Sequence, residues 1–394
     1  MNTTILEHVK NIEDYLVTTR RHLHENPELS HEEFETSKYL KEEVRKLGLE
    51  IIETKGTGFV AVLDTGREGK TLGLRTDIDA LPVEENENNL AGPRVCTSKN
   101  DGVMHACGHD GHMAMVLGAA KVLTEMKDSL NGKILFLFEE SEELGGGVEP
   151  LVEIIKDMNV DAIYGTHLTS FMDVGTISVD QGPVMAGVAG VDFDIIGKGG
   201  HGSRPDLSIS PIFAAANVLT GLASAWANQI DVTETVTLGL GAINGGVAAN
   251  VIPNKVNVKG TLRFYNVEEG TRALEIFKKT TELTAQAHNC SVEFLDFTRV
   301  ASGPVINDEK LAKLAQDSVN DLFPGALKND VKWFASESFS QYSVVSPILF
   351  AFVGIKDEKQ GSGAEHHNEY FDLHEDSLYY GTAAQVKFAC EFLK

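Results

Sequence analysis

The sequence of 394 residues has few cysteines and no long apolar run. Its four cysteines lie far apart without framework spacing, so we expect thiols rather than a disulfide scaffold: Cys96, Cys107, Cys290 and Cys390. No apolar run approaches the roughly 18 residues that a membrane span needs. The first residues, MNTTILEHVKNIEDYL, have neither the basic nor the apolar region of a secretory signal. We therefore expect a cytoplasmic protein that does not enter a membrane.

Basic residues are also scarce. Lys and Arg number 34 against 58 Asp and Glu, which gives a formal net charge of -24. A surface of this charge repels the phosphates of nucleic acids and of anionic lipids, so neither is expected as a partner. With 42% hydrophobic and 23% charged residues, the composition is otherwise typical of a globular protein.

The length and the hydrophobic pattern predict two domains, because one core seldom serves so many residues. Short apolar runs (GFVAVLD, TLGLRTDID, KILFLFEES and AIYGTHL) alternate with helical patterns, which predicts an α/β domain whose strands are covered on both faces. After Pro183 the order becomes βαββαβ, the ferredoxin-like arrangement. The tail returns to the first pattern. We predict an α/β domain (1–185 and 299–394) interrupted by an inserted α+β domain (186–298).

One local signal concerns the helix in SHEEFETSKYLKEEVRKLG. Ser30 followed by Glu33 predicts a capping box at its start, and Gly48 predicts its end. Between them, the apolar residues recur at helical spacing.

Possible metal ligands cluster at the ends of the predicted strands. They are Asp77, Asp79, Cys107, His109, Glu139, Glu140, Glu142, Glu143, His167, His366 and His367. In open α/β sheets, ligands bind beyond the carboxyl ends of the strands, so one shared metal site explains this set better than separate coincidences. Taken singly, each residue also has a structural explanation, such as a buried thiol for Cys107 or a helix cap for Asp110.

The chemistry of the donors narrows the choice of metal. Cys107 and His109 are two residues apart, so in an extended segment their side chains point the same way. A deprotonated thiol has more than one lone pair and can bridge two ions. Nitrogen, oxygen and a single sulfur suit Zn²⁺, Mn²⁺, Co²⁺ or Ni²⁺ better than Ca²⁺. Of the adjacent Glu142 and Glu143, one can bind metal while the other takes a proton from the attacking water.

The ordered set of motifs resembles the aminoacylase, hippurate hydrolase and plant auxin-conjugate hydrolase branch of metallopeptidase family twenty. The resemblance covers almost the whole chain. Its marks are RRHLHENPELSHEE, RTDIDALPVEE, GVMHACGHDGHMA, the paired glutamates before GGG, GTHL, GKGGHGSRP, GGVAANVIPNKV, GTLRFYN and HHNEYF.

The resemblance implies a three-layer α/β/α catalytic domain with two divalent metal ions and an inserted ferredoxin-like lid, often used to form a homodimer. It also implies hydrolysis of the amide bond of small N-acyl amino acids. The implied metal ligands are Cys107 as the bridge, His109, Glu143, His167 and His367. The neighbouring His366 is an alternative to His367, whose spacing to Phe371 fits better.

Further roles follow from the same resemblance. Glu142 is the implied general base, and Asp77 is an acid that orients a ligand. In the inserted domain, His201 matches a histidine that helps to stabilise the oxyanion, and a dimer interface could separate it from the site on which it acts. Asn250 and Arg263 match residues that receive the substrate carboxylate, although a loop-capping amide and a surface cation explain them equally well.

The chain departs from the branch at two places. Glu139, Glu140 and Ser141 stand where relatives usually have Gln-Pro-Ala, and Ser338 stands where they usually have Asp. Three alternatives stay open: an exopeptidase that cleaves dipeptides, a catalytically inactive metal-binding protein, and a cysteine hydrolase with Cys107 as nucleophile.

Overall fold

The computed structural model describes residues 2–394, which form two compact units. The first runs to Gly182 and also contains Ile306–Val331 and Gln341–Lys394. The second contains Pro183–Val305 and Lys332–Ser340. Among the described residues, no helix has the length and apolarity needed to cross a membrane.

Helices and strands are numbered in chain order. The elements up to residue 178 are α1 (Asn2–Asn11), α2 (Glu13–Glu25), α3 (Phe34–Lys46), β1 (Glu50–Glu53), β2 (Phe59–Asp64), β3 (Thr71–Asp77), α4 (His109–Glu125), β4 (Lys133–Glu139), α5 (Val148–Ile155), β5 (Ala162–Asp173) and β6 (Ile177–Ser178). Those from 182 to 302 are β7 (Gly182–Met185), β8 (Gly187–Ile196), β9 (Gly200–His201), α6 (Pro211–Gln229), β10 (Val236–Asn244), β11 (Val251–Ile252), β12 (Lys255–Phe264), α7 (Val267–Ala287), β13 (Ser291–Phe294) and β14 (Val300–Ser302). The tail contributes β15 (Val305–Asn307), α8 (Glu309–Leu322), β16 (Leu327–Lys328), β17 (Ile348–Lys356) and α9 (Asp376–Phe392).

The first unit is built on an eight-stranded sheet in the order β1-β2-β4-β3-β5-β17-β6-β16. Its four central strands, β4, β3, β5 and β17, are mutually parallel and almost entirely buried, as their apolar runs predict. Helices α4 and α9 pack on each other and on the sheet. The α/β prediction is confirmed. Because the central strands are parallel, their carboxyl ends meet at one edge, where Asp77 lies opposite Glu139.

The second unit has an antiparallel sheet in the order β10-β12-β8-β13, with β14 also paired to β8. Helices α6 and α7 supply Leu222 and Phe277 to its core, beside Phe193 of β8. The elements β8, α6, β10, β12, α7 and β13 follow the order βαββαβ. The strand β10 forms an edge of the sheet.

The predicted capping box is wrong. Helix α3 begins at Phe34 without a side-chain cap, and the Ser30 hydroxyl donates to Asp79 Oδ2 at 2.6 Å instead. The carboxylate of Glu33 accepts from the backbone of His31 and of Ser141. Tertiary contacts have taken the side chains that local sequence assigned to the helix end.

Candidate metal centre and active site

The segment MHACGHDGH places two donors at the start of α4. Gly108, with φ of 91°, turns the chain into the helix between Cys107 and His109. Gly111 permits a close approach, because a Cβ there would lie 2.4 Å from Leu168 Cδ1. The first turn of α4 therefore fits against β5 next to His167.

Two groups of three donors surround this point and share one residue. The ligand atoms of Cys107, His109 and His167 all lie within 4.8 Å of one another, and so do those of Cys107, Glu143 and His367. The geometry brings together all five ligands implied by the sequence. The thiol lies where the two groups overlap, as a bridging ligand must.

The two buried histidines present Nε2 to the centre because carbonyl groups hold Nδ1. His109 Nδ1 donates to the backbone oxygen of Asp79 at 2.9 Å, and His167 Nδ1 donates to that of Leu168 at 2.7 Å. A carbonyl only accepts, so each Nδ1 carries the proton and each Nε2 keeps a lone pair. His167 Nε2 lies 3.5 Å from the Cys107 sulfur.

Glu143 and His367 complete the second group. Glu143 Oε1 lies 3.3 Å from His367 Nε2 and 3.8 Å from His109 Nε2. His367 has a left-handed backbone, with φ of 60°, and its N–H donates to Ala106 at 2.9 Å beside Cys107. In contrast, His366 is half-buried next to β5 and its Nε2 accepts from Ser170 N at 3.3 Å. Of this doublet, only His367 belongs to a three-donor group.

The donor atoms of His109 and Glu143 are suited to binding a cation. His109 Nε2 and Glu143 Oε1 are buried and have no hydrogen-bond partner among residues 2–394, a costly arrangement for two polar atoms. Burial opposes protonation of His109, but Asp77 and Asp79 outweigh it and raise its pKa well above the ordinary value. The surrounding carboxylates therefore favour positive charge beside His109 Nε2, which a divalent ion would supply in place of a proton.

The pKa values of the other two buried donors support this reading. Burial, with Glu143 nearby, raises the pKa of the Cys107 thiol well above its usual value. A thiolate at this position needs a neighbouring cation. Burial, with His112 and His366 nearby, lowers the pKa of His167 well below its usual value, so this imidazole is neutral, as a metal ligand must be.

Asp77, for which the resemblance implies an orienting role, contacts His112 and Arg75, whereas its neighbour Asp79 contacts His109. Asp77 accepts from His112 Nδ1 and from Arg75, each at 2.7 Å, and approaches His109 Nε2 no closer than 3.7 Å. Asp79 contacts His109 Nδ1 through its backbone oxygen and, at 3.2 Å, through Oδ1. The sequence contained a signal for it, since both acids follow the same strand.

Two further polar residues of MHACGHDGH, Asp110 and His112, form hydrogen bonds within the first unit. His112 uses both nitrogens, because Nδ1 binds Asp77 and Nε2 accepts from Leu168 N at 2.9 Å. Asp110 lies within α4 and accepts from Arg20 Nε and from His24 Nδ1, each at 2.8 Å. This buried ion pair attaches the first turn of α4 to α2.

Glu142 lies on a tight turn beside the donors. The turn begins after β4 and is closed by a hydrogen bond of 2.8 Å from Gly145 N to the Ser141 carbonyl. One carboxylate oxygen of Glu142 lies within 4.8 Å of the ligand atoms of both His109 and Glu143. A carboxylate so placed can accept a proton from a water molecule at the centre.

Both extra acids before the turn are held by hydrogen bonds within the first unit. Glu139 accepts from Arg75 Nε at 2.7 Å and from the Tyr342 hydroxyl at 3.0 Å. Glu140 points elsewhere, to the backbone N–H of Gly58 at 2.6 Å. The departure from Gln-Pro-Ala therefore adds hydrogen bonds to the first unit rather than charge at the donors.

Three predicted residues lie in the second unit. His201 is exposed on β9, and its Nδ1 contacts the Ser203 hydroxyl at 2.8 Å. Asn250 is exposed just before β11, and its carbonyl accepts from Gly202 N at 2.8 Å, so these two predicted residues come from adjacent segments. Arg263 on β12 donates to Ser336 Oγ at 3.0 Å.

Arg263 has an unusual environment for a cation in so acidic a chain. Burial lowers its pKa, and among the described residues it forms no ion pair. Its neighbour Tyr265 has a buried hydroxyl for which residues 2–394 offer no hydrogen-bond partner. A half-buried guanidinium without a counter-ion can bind an external carboxylate.

Comparison with known proteins assigns the family. The model of peptidase family M20/M25/M40 matches residues 73–391. The chain belongs to this family. The predicted resemblance to metallopeptidase family twenty is thereby confirmed, as is the prediction of a metal-dependent amidohydrolase.

Several relatives align over most of the chain. Thermostable carboxypeptidase 2 of Saccharolobus solfataricus is 34% identical, with 98% of this chain and 97% of the relative covered. IAA-amino acid hydrolase ILR1-like 4 of Arabidopsis thaliana is 35% identical, with 96% of this chain and 86% of the relative covered. N-acetyl-L-cysteine deacetylase of Bacillus subtilis is 36% identical, with 87% of this chain and 81% of the relative covered. A solved Bacillus subtilis structure, described as a dinuclear metal binding peptidase of the M20 family, superposes with a TM-score of 0.84 at 29% identity and covers 98% of this chain and 99% of that one.

Proposed function

We propose that this protein hydrolyses the amide bond of small N-acyl amino acids, with Glu142 as the general base. The observation that carries the proposal is the position of the Glu142 carboxylate, within 4.8 Å of the ligand atoms of His109 and Glu143. A protein that only binds metal has no need of such a base. The names of the deacetylase and auxin-conjugate hydrolase relatives support this substrate class.

Two divalent ions would be held by the overlapping groups. Cys107, His109 and His167 would bind one, and Cys107, Glu143 and His367 the other. The mixture of sulfur, nitrogen and oxygen donors favours Zn²⁺, Mn²⁺, Co²⁺ or Ni²⁺. When bound, such ions polarise a carbonyl oxygen and make water more acidic.

The protein's own groups then move the proton and hold the substrate. The Glu142 carboxylate accepts a proton from the attacking water and passes it to the nitrogen of the leaving amino acid. Arg263 and Asn250 bind the free carboxylate of that amino acid. The guanidinium of Arg263 suits this role because it forms no ion pair among the described residues. His201, whose Nε2 is the nitrogen not engaged with Ser203, donates to the developing oxyanion.

We further propose that residues 186–298 serve as the lid and form a homodimer. Edge strand β10 and apolar side chains on the second unit favour such an interface, since Phe213 and Val247 are exposed beside a surface cavity of about 730 Å³. Sedimentation equilibrium of the full chain tests the dimer, and Phe213→Glu with Val247→Glu should yield monomers.

A substrate panel tests the activity. The protein loaded with Mn²⁺, Co²⁺ or Zn²⁺ is assayed on N-acetyl and N-benzoyl amino acids and on free dipeptides, with and without chelator. We expect hydrolysis of the N-acyl compounds and its loss in Glu142→Gln, whose metal content should be unchanged. Activity that survives both chelation and Glu142→Gln would refute the mechanism.

The panel also separates the alternatives. One relative is named Thermostable carboxypeptidase 2. Faster cleavage of dipeptides than of N-acyl amino acids would therefore show that the protein is an exopeptidase rather than an N-acyl amino acid hydrolase. A trapped acyl-thioester on Cys107 would favour the cysteine hydrolase. Protection of Cys107 from alkylation by added metal is expected instead.

A further inference from the structure

The turn that carries Glu142 is strained and needs external support. Ser141, its first residue, is fully buried with φ of 52°, a left-handed conformation that is unfavourable for a non-glycine residue. Its hydroxyl contacts His31 Nε2 at 2.9 Å and Gly145 O at 3.1 Å. Such a conformation persists only where surrounding contacts determine it.

Glu33 provides the contact at the beginning of the turn. Its side chain is completely buried, and Oε1 accepts from Ser141 N at 2.8 Å and from His31 N at 2.9 Å. Oε2 accepts from the Thr57 hydroxyl at 2.7 Å, and that hydroxyl also lies 2.9 Å from Glu140 Oε2. Glu33 thus joins the turn to the loop before α3 and to the loop before β2.

Asp79 provides the matching contact beyond Glu142. Its Oδ2 accepts from Glu143 N at 3.0 Å and from the Ser30 hydroxyl at 2.6 Å. The amides on both sides of Glu142 are therefore held by buried carboxylates, one from Glu33 and one from Asp79. The loop containing Ser30 and Glu33 takes part in both contacts.

We propose that Glu33 is a positioning residue for the catalytic base. It fixes the Ser141 amide and so the direction in which the Glu142 side chain leaves the turn, without touching substrate or metal. This role rests on the proposed function of Glu142. Small displacements of a catalytic group can cost about 100-fold in rate, so Glu33 should affect kcat far more than KM.

Two variants distinguish the effect of the length of the Glu33 side chain from the effect of its charge. Glu33→Asp keeps the charge but is one methylene shorter, so it loses Ser141 N. Glu33→Gln loses the charge but keeps an acceptor for Ser141 N and His31 N, while its amide group can donate to Thr57. With N-acetyl amino acid substrates, we expect kcat to fall about 10- to 100-fold in Glu33→Asp and by less than about threefold in Glu33→Gln, with KM and metal content unchanged in both.

Hydrogen exchange gives a readout independent of activity. Removing the acceptor of Ser141 N should speed amide exchange in the peptide covering residues 140–147 in Glu33→Asp, but not in Glu33→Gln. Glu43→Gln is the matched control, because Glu43 is another buried carboxylate of the same region and binds the Tyr15 hydroxyl at 2.9 Å rather than the turn. It should leave both kcat and exchange at 140–147 unchanged.

Each result is decisive. Loss of kcat in Glu33→Gln equal to that in Glu33→Asp, or a normal kcat in Glu33→Asp with normal exchange, overturns the positioning role. A parallel loss of metal and thermal stability in both variants overturns it as well, in favour of a merely structural carboxylate. If Glu142→Gln remains active, the proposed function fails; if Glu142→Gln is inactive while Glu33→Asp is normal, only the role of Glu33 fails.

Discussion

The Nδ1 atom of His109 lies 2.9 Å from the backbone oxygen of Asp79. The same residue also places Oδ1 3.2 Å from that nitrogen and Oδ2 3.0 Å from the Glu143 amide. One acid thus orients two of the proposed metal ligands, one through a ring nitrogen and the other through its backbone.

Asp79→Asn should weaken metal binding. The amide removes the negative charge near His109, and partners that orient a ligand typically contribute 10- to 100-fold to metal affinity, so we expect the dissociation constant to rise by about that factor. Competition with a chromogenic chelator measures it. Asp194→Asn is the control, because this buried acid of the second unit binds Lys255 and Asn257. Equal affinities in the two variants would contradict the role of Asp79.

Arg263→Ala should raise KM for substrates with a free carboxylate. A charge-assisted hydrogen bond contributes about 1.5–3 kcal/mol, so we expect kcat/KM to fall roughly 10- to 150-fold. The matched control is the substrate in which a carboxamide replaces the carboxylate; the variant and the original protein should hydrolyse it at similar rates. An equal loss on both substrates would mean that Arg263 does not bind the carboxylate.

The buried ion pair between Arg20 and Asp110 should contribute more to the free energy of unfolding than the exposed pair between Arg21 and Glu375. Arg20 and Asp110 are almost fully buried, so Arg20→Met removes the buried guanidinium that balances Asp110 and should lower the free energy of unfolding by about 3–5 kcal/mol. Arg21 binds Glu375 at 2.7 Å but is 39% exposed, so Arg21→Met should cost at most about 1 kcal/mol. Urea unfolding compares them, and similar losses would contradict this ranking.

Glu85 should contribute to acid sensitivity. Burial opposes ionisation of Glu85, but His24 at 2.8 Å, the Ser98 amide and Arg94 outweigh it and lower its pKa. A lowered pKa in the folded state stabilises the protein above the unfolded value, near 4.5, and this contribution disappears as the pH falls through the folded value. Urea unfolding at several pH values should therefore show that Glu85→Gln is less stable than the original protein at pH 6, with the difference shrinking below about pH 4.5. A difference that does not depend on pH would refute this assignment.

Much of the fold was predictable because its signals are local. The apolar runs at β2, β3, β4 and β5 are too continuous for half-exposed strands, and all four lie buried in the central sheet. Of the donors, Cys107, His109 and Glu143 lie next to an end of α4 or β4, as the local pattern predicts. His167 instead lies within β5, and His367 lies in the loop between β17 and α9. Strand β1, with its two half-buried residues between exposed glutamates, carries no such signal and was not predicted.

The contacts that hold Asp79 and the turn of Glu142 were not predictable from local pattern. Ser30 and Glu33 have the spacing of a capping box, yet the structure uses them to hold Asp79 and the turn at Ser141. Asp77 and Asp79 point to the same side of an extended chain, and sequence alone does not say which one meets His109. The contact between Glu33 and Ser141 joins residues 108 positions apart.

The sequence by itself therefore determined the buried central strands and the types of residue available as donors, because periodicity and residue type act over a few neighbouring residues. Only the tertiary structure decided which carboxylate orients His109 and which one supports the turn of Glu142. The physical reason is that a buried hydrogen bond requires atoms about 3 Å apart, and that separation is set by how distant loops meet at the sheet edge.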